Sequence, residues 1–578
     1  MDWSVIKDSL LDNKKVGNIT LDSNSVFKDC SYLYVIHCSL SVNQTWIPVV
    51  ICVPEDWRTE LVHIFIENYS NFPFIPHCET NGKLCLYELE GALIDWNLCG
   101  VLNNCIMRAV SVIEDGLMGR NQIDLLNEFN SYWGQLNKTR LAYFDVPADK
   151  KTTCIRYAII TRSKNKNEKN IEYQYQMSRA PIYASTDETF FSFRKVTQSQ
   201  RKGLYIYYES AENLLPPDPR EGLSLNYINR VLSNVSLKTW KKVLEKQWPT
   251  CCLLFEVKNA CSVTVLWGVL IENGEFKELS KNHFELSCAK NIYPLEIIRL
   301  DKQFLMSRTS DNENLMQSKK YLLIGCGSIG GYVAQELAKS GCEDITLVDD
   351  DILKEENIFR HVLGTQYTFT NKAVALKRPL EQNIPNLNIK VRERRIEDAL
   401  EDGSLDLNEY DIIISAVGNH NVNRVLNKYI YEHSIQTPTI YLWNEPLDVG
   451  CHAMRVKYGD RGCFECLFRR DNESSELYDS YSYCERGQEF TQNTLGCNNT
   501  FIPYGSTVSL KVTSIGMDLI RKEIEGRCAE NVLVSFKGEG YHFRRAGLFC
   551  SEIYDSQENT IDSVRGSCFC NEYCNICR

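Results

Sequence analysis

From about residue 305 onward, short apolar runs alternate with amphipathic stretches. The runs Tyr321-Leu322-Leu323-Ile324, Ile345-Thr346-Leu347-Val348, Ile412-Ile413-Ile414 and Thr439-Ile440-Tyr441-Leu442 are nearly continuous in apolar residues, as strands buried on both faces are. Strands are predicted at 320–324, 345–348, 389–391, 412–417 and 439–442, with helices between them, the first over 328–340. Such alternation predicts a mostly parallel, doubly wound, Rossmann-like α/β sheet. Residues 1–148 read differently. The strand-like runs Tyr32-Leu33-Tyr34-Val35-Ile36 and Trp46-Ile47-Pro48-Val49-Val50-Ile51 precede apolar residues at helical spacing over 101–117 and on to 133, which predicts a small α+β domain. Between these regions, strand candidates at 251–257 and 263–271 follow a stiff turn or linker, Leu215-Pro216-Pro217-Asp218-Pro219. No chemical motif stands out there, so 149–305 is read as an α/β spacer or docking domain. The expected division is 1–148, 149–305 and 306–578.

A chain of 578 residues exceeds one hydrophobic core and accommodates roughly three or four domains of about 150 residues. The formal charge of −11 argues against a large direct nucleic-acid interface. No window reaches the length of about 18 apolar residues that crossing a bilayer takes, and the N-terminus lacks a basic segment followed by an apolar run, so a cytoplasmic protein without membrane contact is expected. The 25 cysteines are scattered through a long chain. In a reducing compartment they point to metal ligands, nucleophiles and small buried hydrophobes rather than a disulfide framework.

The chemistry concentrates after the strand 320–324. In Gly325-x-Gly327-x-x-Gly330 the first glycine permits the tight turn, the second lets the backbone approach phosphate, and the third lets the helix pack on the sheet. The helix N-terminus then faces the anion. Asp349 ends the second strand, where a carboxylate binds ribose hydroxyls. Asn357, Arg360 and Lys372 follow. Hydride transfer needs no cation on a triphosphate, whereas carboxylate attack on an α-phosphate develops charge that Arg and Lys stabilise.

These residues, with Asp349-x-Asp351-x(5)-Asn357-x-x-Arg360 and Lys372-Ala373, resemble the adenylation domain shared by ubiquitin-activating enzymes and bacterial activators of sulfur-carrier proteins. The resemblance covers about 305–578 and implies ATP-dependent adenylation of the C-terminal glycine of a small β-grasp protein. It would give Asp349 the ribose and Asn357, Arg360 and Lys372 the phosphates, with Asp351 near the reacting centre. Where the family usually has an Asp that helps hold Mg²⁺, this chain has Gly418. Asp349, Asp350 or Asp351, or phosphates and waters, would then supply the Mg²⁺ ligands.

Two C-x-x-C pairs, Cys463/Cys466 and Cys574/Cys577, suit one tetrahedral Zn²⁺ site that staples the terminus to the domain, with Cys570 an alternative to Cys574. Between them lies a segment that looks like the family's crossing loop, Tyr483-Cys484 through Gly496-Cys497-Asn498-Asn499-Thr500, before a helix over 506–524. In family members that form a thioester, the nucleophile precedes that helix. Cys497 occupies the equivalent place, and Cys484 is the other candidate.

The run Phe72-Pro73-Phe74-Ile75-Pro76-His77-Cys78, then Gly82-Lys83-Leu84-Cys85-Leu86, with Trp96 further on, resembles the active-site region of ubiquitin-conjugating enzymes. His77 stands where that family has an oxyanion-stabilising Asn, and could donate a hydrogen bond or act as a base. Together the resemblances imply a fused activating and conjugating enzyme: adenylation, a thioester on Cys497, transthiolation to Cys85, and amide ligation to a target amine. The layout is similar to the fused enzymes of CBASS antiphage operons. That similarity implies a homodimer and, as the activated partner, a ubiquitin-like protein or a cGAS-like nucleotidyltransferase with a C-terminal glycine. The competing readings are a sulfur-carrier-type adenylyltransferase with a non-catalytic N-terminal docking domain, and a nucleotide-binding sensor without turnover.

Overall fold

The computed structural model describes residues 3–22, 32–88, 93–160, 181–244, 248–309, 315–471, 475–493 and 500–577. They form two compact units, 1–305 and 306–578. Among the described residues no helix is long and apolar enough to cross a membrane.

In the first unit the helix Trp3–Asp12 is followed by an antiparallel meander, Val16–Leu21, Tyr32–Val42, Thr45–Pro54 and His63–Ile66 in that spatial order. In Tyr32–Val42 the buried Ile36, Cys38, Leu40 and Val42 alternate with His37, Ser39 and Ser41, the two-residue period of a sheet with one face on a core. That face meets the helix Leu98–Leu117, which buries Leu102, Ile106, Ala109 and Ile113 on one stripe. The Asn97 side chain caps the helix by accepting from the Gly100 N–H.

Where an α/β spacer was expected, the chain builds a closed seven-stranded barrel. Its strands run in the order Thr264–Glu272, Asn291–Arg299, Arg140–Phe144, Ile182–Ser185, Thr153–Ile159, Arg201–Glu209 and Thr250–Lys258. Phe144, Tyr157, Tyr205, Leu254 and Leu270 are buried in one of its cores, and closure leaves no exposed sheet edge. The proline-rich turn is tied down rather than free. Arg220 pairs with Asp218, donates to the carbonyls of Tyr69 at 2.8 Å and Phe72 at 3.1 Å, and stacks over the Tyr69 ring.

The second unit holds an eight-stranded sheet ordered Asn388–Arg392, Asp344–Val348, Lys320–Ile324, Ile412–Ser415, Thr439–Asn444, Gly450–Val456, Val532–Lys537 and Ile561–Arg565. The first five strands are parallel and the rest pair antiparallel. The direction of winding reverses between Lys320–Ile324 and Ile412–Ser415, the place where open α/β sheets bind ligands beyond their strand C-termini. Two helices, Ser328–Lys339 and Ser506–Ile524, pack on each other; the second also lies on Thr439–Asn444 and Gly450–Val456.

Candidate active site

A cavity of about 420 Å³ opens at that reversal. Gly325 turns out of its strand at φ +86, with the backbone of Ala416 and Val417 2.9 Å from where a Cβ would sit. A Cβ on Gly330 would lie 1.8 Å from the Gly325 carbonyl oxygen. A Cβ on Gly327 would meet nothing within 4 Å, and Gly327 lines the cavity. The first and third glycines are therefore required by packing. The second leaves backbone open to an approaching anion, with the N-terminus of Ser328–Lys339 behind it.

Asp349 receives the Cys326 N–H at 2.6 Å and the Asp351 N–H at 2.8 Å. Burial raises its pKa despite these bonds. Lys372 Nζ contacts Asp351 at 2.6 Å. Burial would raise the Asp351 pKa, but the hydrogen bond and charge of Lys372 outweigh it, and the net shift is downward. Asn371 caps the helix Lys372–Asn383 and also donates to the carbonyls of Asp349 and Asp351. Asn357 and Arg360 line the cavity, Arg360 lying 5.1 Å from the centre of the Tyr504 ring, whose hydroxyl meets Ser328 at 3.0 Å. Gly325, Gly327, Asp349, Asp351, Asn357, Arg360 and Lys372 thus line one cavity, and Gly330 packs against the Gly325 carbonyl.

Four groups here were not picked out from the sequence. His361 is buried; its Nε2 lies 2.8 Å from the Cys326 carbonyl and its Nδ1 accepts the Leu363 N–H. Burial lowers its pKa, so the neutral ring braces the glycine turn. Arg394, Arg395 and Tyr504 also line the cavity. The arginines follow a strand of the parallel sheet, so position beyond its C-terminal end was the available signal. Gly418, at φ +67, lines the cavity with nothing within 4 Å of where a Cβ would sit.

The four thiols of Cys463, Cys466, Cys574 and Cys577 lie within 4.8 Å of one another, with separations of 3.9, 3.6 and 3.5 Å for 463–466, 463–574 and 466–577. Tetrahedral thiolates at about 2.3 Å from Zn²⁺ are about 3.8 Å apart, so this donor set fits zinc. Cys570 is outside the cluster. Cys497 lies outside the described residues. Cys484 is buried with its thiol 3.3 Å from Glu445, and burial followed by that carboxylate raises its pKa. That environment opposes thiolate formation.

In the first unit, Gly82 at φ +88 allows the chain past the Ile66 carbonyl, 2.5 Å from where a Cβ would be. Cys85 emerges exposed, its N–H donating to the His77 carbonyl at 2.8 Å. Burial, then Glu128, Glu79 and Glu88, raise the Cys85 pKa. His77, at φ +59, has Nδ1 2.7 Å from Glu128 and Nε2 3.1 Å from Asp124. The hydrogen bond to Glu128 is the main cause of its raised pKa. Each ring nitrogen is therefore taken up by a carboxylate. Trp96 is exposed.

Residues 300–505 match the ThiF family, and residues 22–142 match prokaryotic E2 family B. The chain joins a ThiF-family domain to a prokaryotic E2 family B domain. It is an enzyme of the combined activating and conjugating kind. Among similar proteins are the ATP-dependent ubiquitin transferase-like proteins Cap2 of Pseudomonas aeruginosa (strain BWHPSA011 / Pa011) and Escherichia coli (strain TW11681). The first is 24% identical over 468 residues, covering 78% of this chain and 80% of that protein. The second is 21% identical over 476 residues, covering 75% and 78%. Among solved structures, E. coli MccB with ATP is a distant likeness, 19% identical over 46% of this chain and 70% of that one, at a TM-score of 0.33. The ThiF-family domain contains the whole glycine-turn cavity, Tyr504 included, and the E2-type domain contains Cys85 and His77.

Proposed function

We propose that this chain adenylates the C-terminal glycine of a partner protein with ATP, passes the acyl group through its own thiols, and ligates it to an amine. One observation carries the reading: an anion-accepting cavity with Gly327, Arg360 and Lys372 belongs to the same chain as an exposed thiol, Cys85, ringed by carboxylates. In the cavity, Asp349 would orient the ribose. Arg360 and Lys372 would neutralise charge as a glycine carboxylate oxygen bonds to the α-phosphorus and the bond to pyrophosphate breaks. Mg²⁺ accompanying ATP would screen the phosphates. Asp349 and Asp351 are already hydrogen-bonded, so the exposed Asp350, which also lines the cavity, would be the carboxylate to hold it, with phosphates and waters as further ligands.

Cys497 would displace AMP to give a thioester, and Cys85 would take the acyl group by transthiolation, an exchange between chemically similar leaving groups. An amine would then attack at Cys85, leaving an amide. The acidic surroundings raise the cost of the Cys85 thiolate but attract a cationic lysine acceptor. We assign His77 a positioning role: its carbonyl holds the Cys85 backbone and its ring ties that loop to Asp124 and Glu128. The four-cysteine cluster would bind Zn²⁺ and anchor the C-terminal segment. The partner would be a ubiquitin-like protein or a cGAS-like nucleotidyltransferase in CBASS defence. The exposed Phe359 and Phe369 beside the cavity motif fit a homodimer formed through the adenylation domains.

The test uses Cys85→Ser in the full chain with ATP and a partner ending in glycine. ATP–pyrophosphate exchange should persist while amide products disappear and an oxygen ester accumulates at residue 85. Retained ligation would remove Cys85 from the mechanism and favour the sulfur-carrier-type alternative. Absence of partner-dependent pyrophosphate release by the unaltered chain would overturn adenylation itself.

A further inference from the structure

Two cysteines outside this scheme, Cys484 and Cys550, face each other across an isolated antiparallel bridge. The flanking ladder bonds run from the Glu485 N–H to the Phe549 carbonyl at 3.0 Å and from the Ser551 N–H to the Tyr483 carbonyl at 2.9 Å. The two cysteines are therefore a non-hydrogen-bonded pair. In such pairs the Cα atoms are about 4.5 Å apart and the side chains share one face, within the span of about 4.4–6.8 Å that a disulfide bridges. Both thiols are free and pack in one cluster with Tyr483, Phe543 and Tyr554.

Their surroundings differ in a way that orders the chemistry. Cys550 is half-buried, and burial raises its pKa although the nearby Arg544 guanidinium opposes the shift, whereas Cys484 is buried and directs its thiol to Glu445. An oxidant reaches Cys550 first, and Cys484 is the resolving thiol. Glu445 also receives the Ser482 hydroxyl and faces His452. It leads directly into a turn in which Leu447 donates to the Pro503 carbonyl at 2.7 Å and Asp448 accepts the Gly505 N–H at 2.8 Å. Tyr504, between those two ties, lies on Arg360 and Ser328 in the nucleotide cavity. The dithiol is thus joined to the cavity by a contiguous set of bonds.

We propose that Cys484 and Cys550 form a redox-sensitive dithiol, closed by peroxide into an intrachain disulfide that acts on the nucleotide cavity through Glu445 and Tyr504. The Cys550 thiolate attacks hydrogen peroxide. An S–O bond forms, the O–O bond breaks, and the departing hydroxide takes up a proton, leaving a sulfenic acid and water. Cys484 then attacks that sulfur. The S–S bond forms, the S–O bond breaks, and a second water leaves with the Cys484 proton. Two thiols and one peroxide give one disulfide and two waters. Closing the bond turns Cys484 away from Glu445.

The test reduces the full chain, exposes it to hydrogen peroxide, blocks remaining thiols with an alkylating agent, and maps the cysteines by mass spectrometry. ATP–pyrophosphate exchange is measured in parallel. The expected result is a cross-linked peptide joining residues 484 and 550 together with a several-fold rise in KM for ATP, both reversed by reductant and both absent in Cys550→Ser. Cys550→Ala repeats the comparison should serine disturb the cluster. In Cys484→Ser, the Cys550 sulfenic acid should persist and react with a dimedone probe. Free 484 and 550 thiols in a sample whose exposed Cys85 and Cys568 are oxidised would overturn the proposal. So would a formed disulfide that leaves KM for ATP unchanged. Neither result bears on the proposed route through Cys497 and Cys85.

Discussion

The glycine turn offers a paired perturbation whose two halves have opposite signatures. In Gly330→Ala the new methyl would lie 1.8 Å from the Gly325 carbonyl oxygen and 2.8 Å from its carbon. Both are backbone atoms, so neither can rotate aside. Overpacking of this kind costs about 1–3 kcal/mol. At roughly 2–4 °C per kcal/mol for a large domain, Tm should fall by about 2–12 °C. Gly327→Ala places the same methyl in open space, at φ −78. An alanine compatible with its backbone is neutral or stabilising by about 0.4–1 kcal/mol, so Tm should hold or rise. The methyl occupies the wall a phosphate must approach. Hydrogen bonds to a charged group contribute about 1.5–3 kcal/mol, so displacing the phosphate from one such N–H should raise KM for ATP roughly 10- to 150-fold. Differential scanning fluorimetry and ATP–pyrophosphate exchange read the two effects separately. Gly327→Ala with an unaltered KM for ATP would refute the phosphate assignment. A Gly327→Ala protein as unstable as Gly330→Ala would show that this glycine, too, is required only for packing.

The Cys463, Cys466, Cys574 and Cys577 cluster should yield stoichiometric zinc by elemental analysis. Cys574→Ser should lose the metal and lower Tm while Cys570→Ser keeps both; equal metal content in the two variants would remove Cys574 from the site. His77 should titrate above its ordinary 6.5, because Glu128 and then Asp124 favour the imidazolium over the opposing effect of burial. Its folded pKa is raised, so its contribution to stability is full below pH 6.5 and is lost as pH climbs through the folded value. Glu128→Gln should bring the NMR titration of His77 down; a ring already titrating at or below 6.5 in the unaltered chain would refute the clamp.

Much of the second unit was legible because its strands are buried on both faces. Lys320–Ile324 and the helix Ser506–Ile524 fall at their predicted positions, and the other parallel strands begin or end within a few residues of theirs. The C-x-x-C spacing likewise identified all four thiols that the structure gathers. The barrel was not legible, for a topological reason. Arg140–Phe144 pairs with Ile182–Ser185 on one side and Asn291–Arg299 on the other, so closure depends on partners far along the chain. No local period encodes that pairing. His361 escaped notice similarly, since a lone histidine after Arg360 gives no sign that it will reach back to Cys326.

The most consequential change concerns His77, because sequence position and environment pull its chemistry in opposite directions. Its place before Gly82-x-Leu84-Cys85 suggested a base or an oxyanion donor, both of which need a ring nitrogen free to face the reaction. Asp124 and Glu128 lie 47 and 51 residues further along the chain, and no motif links them to it. Folding delivers both carboxylates to its ring. The Tyr132 hydroxyl completes the clamp, accepting the His77 N–H at 2.7 Å and donating to Glu128 at 2.6 Å. With a carboxylate on each ring nitrogen, neither nitrogen faces an incoming amine, and a proton donated elsewhere would break one of these contacts. Glu128 would be no freer, since its two oxygens are taken by the His77 ring and the Tyr132 hydroxyl, so on the proposed route the clamp would hold the Cys85 loop in place. Burial would raise the Glu128 pKa, but the hydrogen bonds from His77 and Tyr132 outweigh it and the net shift is downward, which makes Glu128 a weaker base still. An amine drawn in by the acidic surroundings of Cys85 would then rely on being held close to the thioester, where proximity supplies much of the rate.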